Sequence, residues 1–301
     1  MGIANYIKHI GRGKEGARPL QREQAADLLG QLLDGRLSEL EIGAFCLAMR
    51  IKGETADEMA GFLDAIHARV QRLPATTRPL VLLPSYNGAR KLPLLTPLLA
   101  WLLVRQGLCV VVHGEAEQPG RVTSTQVLHA QGVAPLQDLA RLRTDWPNVC
   151  ALAQLSPALQ SLLDVRRVVG LRNPGHSLVK LMTPCHGPSV LVTSYTHPEY
   201  AQSMAATLRL MGTRALLLRG TEGEPVADAR RTPQMDGFAH GQQSLMQAAQ
   251  SGPLLALPDW PTSIDATATA AYTQAVLDGQ RPVPAPVMRQ VEHILQLAAS
   301  A

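Results

Sequence analysis

Two short runs of unbroken apolar sequence, Leu80-Val81-Leu82-Leu83 and Cys109-Val110-Val111-Val112, bracket a single helical segment. A strand with one face in water alternates apolar and polar residues. A run without a polar member is covered on both faces, as in a parallel sheet. The segment between the runs, Thr96-Pro97-Leu98-Leu99-Ala100-Trp101-Leu102-Leu103-Val104-Arg105, ends near Gly107 and has helical length. Strand, loop, helix, strand is a βαβ unit with a right-handed crossover. Ligands of such sheets bind beyond the carboxyl ends of the strands. Here those ends are the loop 85–91 and the loop after His113. Residues 80–132 therefore commit the chain to an α/β fold with a mostly parallel sheet flanked by helices.

The first loop, Ser85-Tyr86-Asn87-Gly88-Ala89-Arg90-Lys91, has the composition of an anion site. Thr96 is the expected N-cap of the following helix, with Pro97 at its first position. A helix N-terminus attracts anions through free N–H groups and its dipole, and Arg90 and Lys91 stand just ahead of it. Asn87-Gly88 permits a tight turn with positive φ. An ordinary strand-to-helix turn with solvated basic residues fits the same residues. Further on, Arg121-Val122-Thr123-Ser124-Thr125 opens a helix that ends near Gly132. Its hydroxyls suit either a phosphate or a plain helix N-terminus.

Residues 1–70 read as helices. Gln21 to Leu33 puts Ala25, Leu28, Leu29, Leu32 and Leu33 on one face. Ser38 with Glu41, and Thr55 with Glu58, are capping boxes that open two further helices. The prolines at 74 and 79 mark a hinge. Helical character is expected again from Trp146 to Pro184, and the βα rhythm resumes at Val190-Leu191-Val192 and Ala215–Leu218. The expected division is a helical domain at 1–73 plus about 152–185, and an α/β domain at 78–150 and 186–301. Two closing helices are expected near 262–277 and 287–299.

The arrangement resembles the anthranilate phosphoribosyltransferase family, whose fold is shared with pyrimidine nucleoside phosphorylases. That family's Gly-Thr-Gly-Gly-Asp loop, which holds the diphosphate of phosphoribosyl pyrophosphate, corresponds to Pro84-Ser85-Tyr86-Asn87-Gly88. Its Asn-Ile-Ser-Thr helix start corresponds to Leu94-Leu95-Thr96-Pro97, and its Lys-His-Gly-Asn-Arg motif to Val112-His113-Gly114-Glu115-Ala116. The resemblance leaves Ser85, Tyr86, Asn87, Gly88, Thr96, His113 and Gly114 as a vestigial ligand loop. The family's Asp-Glu metal pair falls near Glu222 and Glu224, here separated by Gly223. Gly170-Leu171-Arg172 matches the segment whose arginine meets the anthranilate carboxylate. Ala44-Phe45, Arg50-Ile51-Lys52-Gly53-Glu54-Thr55, Glu58 and Gly61 resemble the family's N-terminal helical domain, which implies a homodimer built through it. The run 85–91 and Thr221-Glu222-Gly223-Glu224-Pro225 resemble the YbiB-like branch, which implies nucleic-acid binding in place of phosphoribosyl transfer.

Charge and composition admit that reading without requiring it. The formal net charge is +4 over 301 residues, so local clustering decides the field. Lys8, Arg12, Lys14 and Arg18 form a basic arm, and Arg166, Arg167, Arg172 and Lys180 the densest basic stretch. His176 and Lys180 lie four apart and would share a face if that segment is helical. With Arg90 and Lys91 these are the candidate nucleic-acid contacts, to phosphates and so largely independent of sequence. Tyr86 is a candidate either to stack a base or to pack at the domain interface. The expected partner is DNA or RNA, with single strands tolerated. Catalytic residues, cofactor and metal are expected to be absent. The alternative is a phosphoribosyltransferase-type enzyme acting on an aromatic or nucleobase acceptor, which would bring Mg with phosphoribosyl pyrophosphate. A protein-interaction scaffold is the third reading. Gly11-Arg12-Gly13-Lys14-Glu15-Gly16 matches a dinucleotide pattern but lacks the preceding strand that the pattern requires. Cys46, Cys109, Cys150 and Cys185 are not closely paired, which suggests neither zinc nor disulfides. No apolar signal segment opens the chain and no apolar run is long enough to span a bilayer, so a cytoplasmic protein without membrane contact is expected.

Overall fold

The computed structural model describes residues 2–257 and 260–300, apart from the side chain of Lys14, which lies outside the described residues. The chain forms two compact units, Met1–Gln71 with Leu152–Pro184, and Arg72–Ala151 with Cys185–Ala301.

The first unit is helical. Both capping boxes form: Ser38 opens the helix Glu39–Lys52 and Thr55 opens Ala56–His67, each with a reciprocal glutamate at the third position. The helices Arg22–Leu33 and Ala56–His67 pack closely, because Gly61 admits the backbone of Arg22 where a Cβ would overlap it. Arg22 clamps the same pair, donating to both oxygens of Asp64 at 2.6 and 2.8 Å. Glu58 goes further than its capping role. It is fully buried and accepts from Leu20 N, Thr55 N and the Lys52 ammonium at 2.9, 2.9 and 2.6 Å. One carboxylate thus joins the chain before Arg22 to the turn between the next two helices.

The expected basic arm is folded. Helices Ala4–Ile10 and Gly13–Gly16 form there, with Ile3, Ile10 and Leu20 buried, and Arg18 N donates to His9 O at 2.8 Å. Lys8, Arg12 and Arg18 project from it as exposed side chains. On the helix Glu39–Lys52, Leu40, Leu47 and Ile51 are exposed at seven- and four-residue spacing, so they share one face.

The second unit carries a seven-stranded sheet: β1 Leu80–Ser85, β2 Cys109–Gly114, β3 Asn148–Ala151, β4 Ser189–Tyr195, β5 Ala215–Arg219, β6 Met235–Ala239 and β7 Gln242–Gln247. Their order is β3-β2-β1-β4-β5-β6-β7, parallel as far as β5 and antiparallel beyond it. β1 and β2 pair Val81 with Val110 and Leu83 with Val112, and Val81 also pairs with Val190. This register puts the alternate apolar residues of four strands into one core with the helices Thr96–Arg105, Ala266–Leu277 and Ala285–Ala299. The helix Pro198–Leu210 packs on β4 to β7.

Two features depart from expectation. Residues 148–151 form a strand where helix was expected. The hairpin of β6 and β7 was not foreseen. Its two-residue turn, His240-Gly241, has both φ values positive (52° and 75°), the requirement of a tight hairpin turn. β7 is an edge strand with its first four residues exposed, Leu245 among them. All four cysteines are free thiols. No described helix is long and apolar enough to cross a membrane.

Glu58→Ala would strand the Lys52 ammonium, whose side chain is only 8% exposed. It is expected to lower the unfolding free energy by about 3–5 kcal/mol in urea denaturation, whereas a loss under about 1 kcal/mol would show that the pair is not holding this unit.

Candidate functional site

The carboxyl ends of β1, β2, β4 and β5 gather the loops that sequence had marked. β1 ends at Ser85, whose hydroxyl contacts Ser124 Oγ at 2.8 Å and the Glu224 carboxylate. The chain then turns through Tyr86, Asn87 and Gly88, all buried, and pairs Ala89 with Val122 through two backbone hydrogen bonds of 2.8 and 2.9 Å. Arg121 steadies the turn by donating to Gly88 O at 3.1 Å. Gly88 takes φ +63°, and a Cβ there would press on Arg121 and Val122 at 3.0 Å.

The amides of this loop face inward onto two carboxylates from the far end of β5. Asn87 N and Gly88 N both donate to Glu224 Oε1 at 2.7 Å. Arg90 N donates to Glu222 Oε2 at 3.0 Å, and Lys91 N and Leu92 N donate to Glu222 Oε1 at 2.8 and 3.0 Å. The geometry is that of a backbone nest closed on an anion, and the anions are side chains of the same protein. Glu224 is fully buried and Glu222 is half-buried. The segment that carries them is pinned independently. Asn87 Nδ2 donates to Glu222 O at 2.9 Å and Ser194 Oγ to Gly223 O at 2.8 Å. Gly223, at φ +84°, lies so close to the Asn87 amide that a Cβ would overlap it. Glu222 itself sits at φ 52°, ψ 21°, a left-handed conformation uncommon for a residue with a Cβ.

The described residues bring no three His, Cys, Asp or Glu side chains together for a metal. Nor do the carboxylates expected at a family metal pair fit a divalent cation. The oxygens of Glu222 face N–H groups, as does Glu224 Oε1, while Glu224 Oε2 takes the Ser85 hydroxyl.

His113 and Tyr86 form a buried pair. Tyr86 OH lies 2.8 Å from His113 Nδ1 and the rings meet edge-on at 5.5 Å. Burial pushes the His113 pKa down to about 3 and raises that of Tyr86 well above its usual range. His113 Nε2 has no hydrogen-bond partner among the described residues. Tyr86 is 6% exposed, so the expected stacking platform for a base does not exist. Gly114 lets β2 approach the Ser85 carbonyl, where a Cβ would overlap it. Thr96 is the first helical residue rather than the expected N-cap: Leu95 holds that position and Thr96 Oγ1 is buried without a partner among the described residues. The actual hydroxyl cap is Thr123, on the helix Ser124–Ala130.

The cationic candidates divide. Arg90 and Lys91 are exposed, beside the nest that their own amides help to form. In the helical unit Arg166, Arg167 and Arg172 are exposed around the end of the helix Pro157–Val169, with Val168 at 90% exposure among them. Arg167 reaches Asp164 at 3.3 Å in an exposed pair, worth little in water. Lys180 is buried, which removes it as a surface phosphate contact. The helix holding His176 is only Gly175–Leu178, so the expected shared face with Lys180 is not formed. Burial first, then the neighbouring Arg172, pushes the His176 pKa down to about 4. Sequence reasoning missed Glu222 and Glu224 as partners of the loop. The glycines at 220 and 223 around an acid were the available signal.

A sheet whose strand ends converge on a nest, with a helical unit formed from 1–71 and 152–184, is the architecture of a phosphoribosyltransferase-like protein. Residues 4–70 match the glycosyl transferase family helical bundle domain. The uncharacterized protein YbiB of Escherichia coli is 38% identical over 292 residues, covering 94% of this chain and 90% of that one. The anthranilate phosphoribosyltransferase of Acidothermus cellulolyticus is 26% identical, covering 88% of this chain and 76% of that one. The crystal structure of the Thermus thermophilus anthranilate phosphoribosyltransferase superposes with a TM-score of 0.72 at 20% identity, covering 98% and 88%. The chain belongs to the anthranilate phosphoribosyltransferase-like family, together with YbiB.

The buried His113 predicts a pH dependence. An unfolded histidine takes up a proton near pH 6.5, whereas the folded ring stays neutral down to about 3. The stabilisation is complete above the unfolded value and falls by about 1.4 kcal/mol per pH unit below it, as the unfolded state binds the extra proton. It stops falling near the folded value. His113→Asn is expected to flatten this limb of a denaturation-against-pH profile, and an unchanged slope would contradict it.

Proposed function

We propose that this chain binds nucleic acid through its phosphate backbone and does not transfer a phosphoribosyl group through the loop 85–92. One observation carries the reading. The loop's backbone donors are taken up by Glu222 and Glu224, while its cations Arg90 and Lys91 stay exposed. Surface charge for a phosphate is retained, but free donors for a diphosphate are not. A carboxylate at the same place repels a second anion. Lys8, Arg12 and Arg18, with Arg166, Arg167 and Arg172, add exposed cations. Contacts of this kind position a strand without reading its sequence.

The second reading is a phosphoribosyltransferase acting on an aromatic or nucleobase acceptor, and kinship favours it. Relatives with a named activity include anthranilate phosphoribosyltransferases. One solved relative, from Saccharomyces cerevisiae, holds phosphoribosyl pyrophosphate and Mg. For this chain that reading requires Glu222 to give up its donors. We also infer self-association through the exposed face Leu40, Leu47 and Ile51. The common symmetric pair would bury this face, and a monomer by light scattering at micromolar concentration would count against it.

Labelled oligonucleotides titrated at two salt concentrations test the main reading. If about six phosphates are neutralised, affinity is expected to fall about a thousandfold between about 50 and 200 mM salt. Arg90→Ala with Lys91→Ala is expected to weaken all sequences alike and flatten the salt slope by about one or two charges. Mg-dependent product formation from anthranilate and phosphoribosyl pyrophosphate, with oligonucleotide binding absent, would replace it with the transferase.

A further inference from the structure

We propose that the amino ends of β1, β2 and β3 carry a ligand site of their own, a cavity that takes a small organic oxyanion on the guanidinium of Arg78. It lies at the opposite ends of the strands from the loop 85–92, about 20 Å away by the length of the six-residue β1. It does not rest on the nucleic-acid reading.

The cavity has a volume of about 290 Å³ and is lined by Thr76, Thr77, Arg78, Gly107, Cys109 and Thr144. The run into β1, the turn between the helix Thr96–Arg105 and β2, and the loop before β3 meet there. Each wall is fixed by its own bonds. The Thr76 hydroxyl donates to the Arg78 carbonyl, and Arg78 Nη1 donates to Gly107 O at 2.6 Å. Gly107 holds φ +80°, and a Cβ there would fall 2.0 Å from Arg78 Nη1. The glycine therefore makes the turn and also leaves room for the guanidinium. On the other side the buried Asn148 clamps the loop before β3 to the start of β2. Its Nδ2 donates to Val110 O at 3.0 Å and Arg143 O at 2.8 Å, and its Oδ1 accepts from Arg143 N at 2.8 Å. Cys109 Sγ lies 3.5 Å from the same Arg143 carbonyl, and Thr144 follows directly.

Charge and size of the lining select the ligand. Arg78 is its one charged side chain, and the described residues offer that side chain no carboxylate. The bond to Gly107 orients the guanidinium plane and leaves Nε and Nη2 as a fork for an oxyanion. Thr77 and Thr144 are exposed at the rim and add hydroxyl donors. Asp145, beside Thr144, is engaged by Arg143 at 3.1 and 3.3 Å, a bond that holds its carboxyl below the usual range. Cys109 is 2% exposed, and burial pushes its thiol up to about 11, so this wall stays neutral. The volume lies at the lower end of small-molecule sites and suits an acid of a few carbons. A carboxylate and a phosphate monoester present the same oxyanion to the fork. Arg78 also complements the carboxyl end of the helix Thr96–Arg105, a role that by itself would leave the cavity without a ligand.

The experiment follows the amide resonances of the full chain during titration with butyrate and, separately, with glycerol phosphate. At least one probe is expected to shift Thr77, Gly107 and Thr144, saturating in the millimolar range, and to leave Asn87, Gly88 and Arg90 in place. Butyrate alone assigns a carboxylate, glycerol phosphate alone a phosphate monoester, and both together the shared oxyanion. Arg78→Lys keeps the charge and loses the fork, and is expected to weaken the saturating probe at least about tenfold. Thr144→Val keeps the shape without the hydroxyl and is expected to weaken it severalfold. No saturable shift at these three amides with either probe overturns the proposal, as does wild-type affinity in Arg78→Lys, the outcome a helix-capping role alone would give. If Arg78→Lys does not fold, Thr144→Val decides in its place, and wild-type affinity there overturns the proposal.

Discussion

The hydrogen bonds from the amides of 87–92 to two carboxylates are the interaction on which the candidate site depends. They span 130 to 137 residues of sequence, tying the end of β1 to the end of β5 across β4. A buried carboxylate is tolerated only where donors replace its water. Glu224 meets that condition through the loop, and the loop meets its own through Glu224, since the amides of Asn87 and Gly88 are buried as well. Neither partner is stable in this position alone. The turn at Gly88, the contact of Gly223 with Asn87 and the bridge between Ala89 and Val122 follow from keeping the two together.

The contrast with a diphosphate site is one of occupancy more than architecture. The family fold is retained over nearly the whole length, and the strand ends still converge on one loop. A loop of this kind supplies donors that require an acceptor, whether substrate or side chain. Here the acceptor is encoded in the chain. Kinship therefore defines the frame, while the hydrogen-bond partners of a few amides decide what the frame can hold.

Legibility from sequence followed the range of the interactions. β1 and β2 were readable because Leu80–Leu83 and Cys109–Val112 contain no polar residue. The capping boxes at Ser38 and Thr55 were readable because each closes within three residues. β3 was missed because Asn148–Ala151 has only four residues and follows a proline-containing loop. The β6–β7 hairpin was missed because His240-Gly241 is an unusual turn pair and its strands are rich in Gln, Asp and Gly, which carry little strand preference. Burial of Tyr86 and Lys180 could not be read locally, since long-range packing decides which end of an amphipathic side chain meets water. The pairing of Glu222 with Arg90–Leu92 is wholly non-local. It left only the trace of two glycines beside an acid.

The edge strand β7 has a consequence for how the molecule behaves in company. Gln242 to Gln247 contains no charged residue and no proline, the devices by which most sheets discourage a further strand. Leu245 stands 61% exposed at its middle. The strand's own side chains would bring no charge into a pairing made there. This short uncharged margin, with Leu245 exposed on it, is the part of the sheet least protected against pairing with another chain. Crowded preparations would be expected to grow along the sheet, edge to edge, before the fold itself gives way.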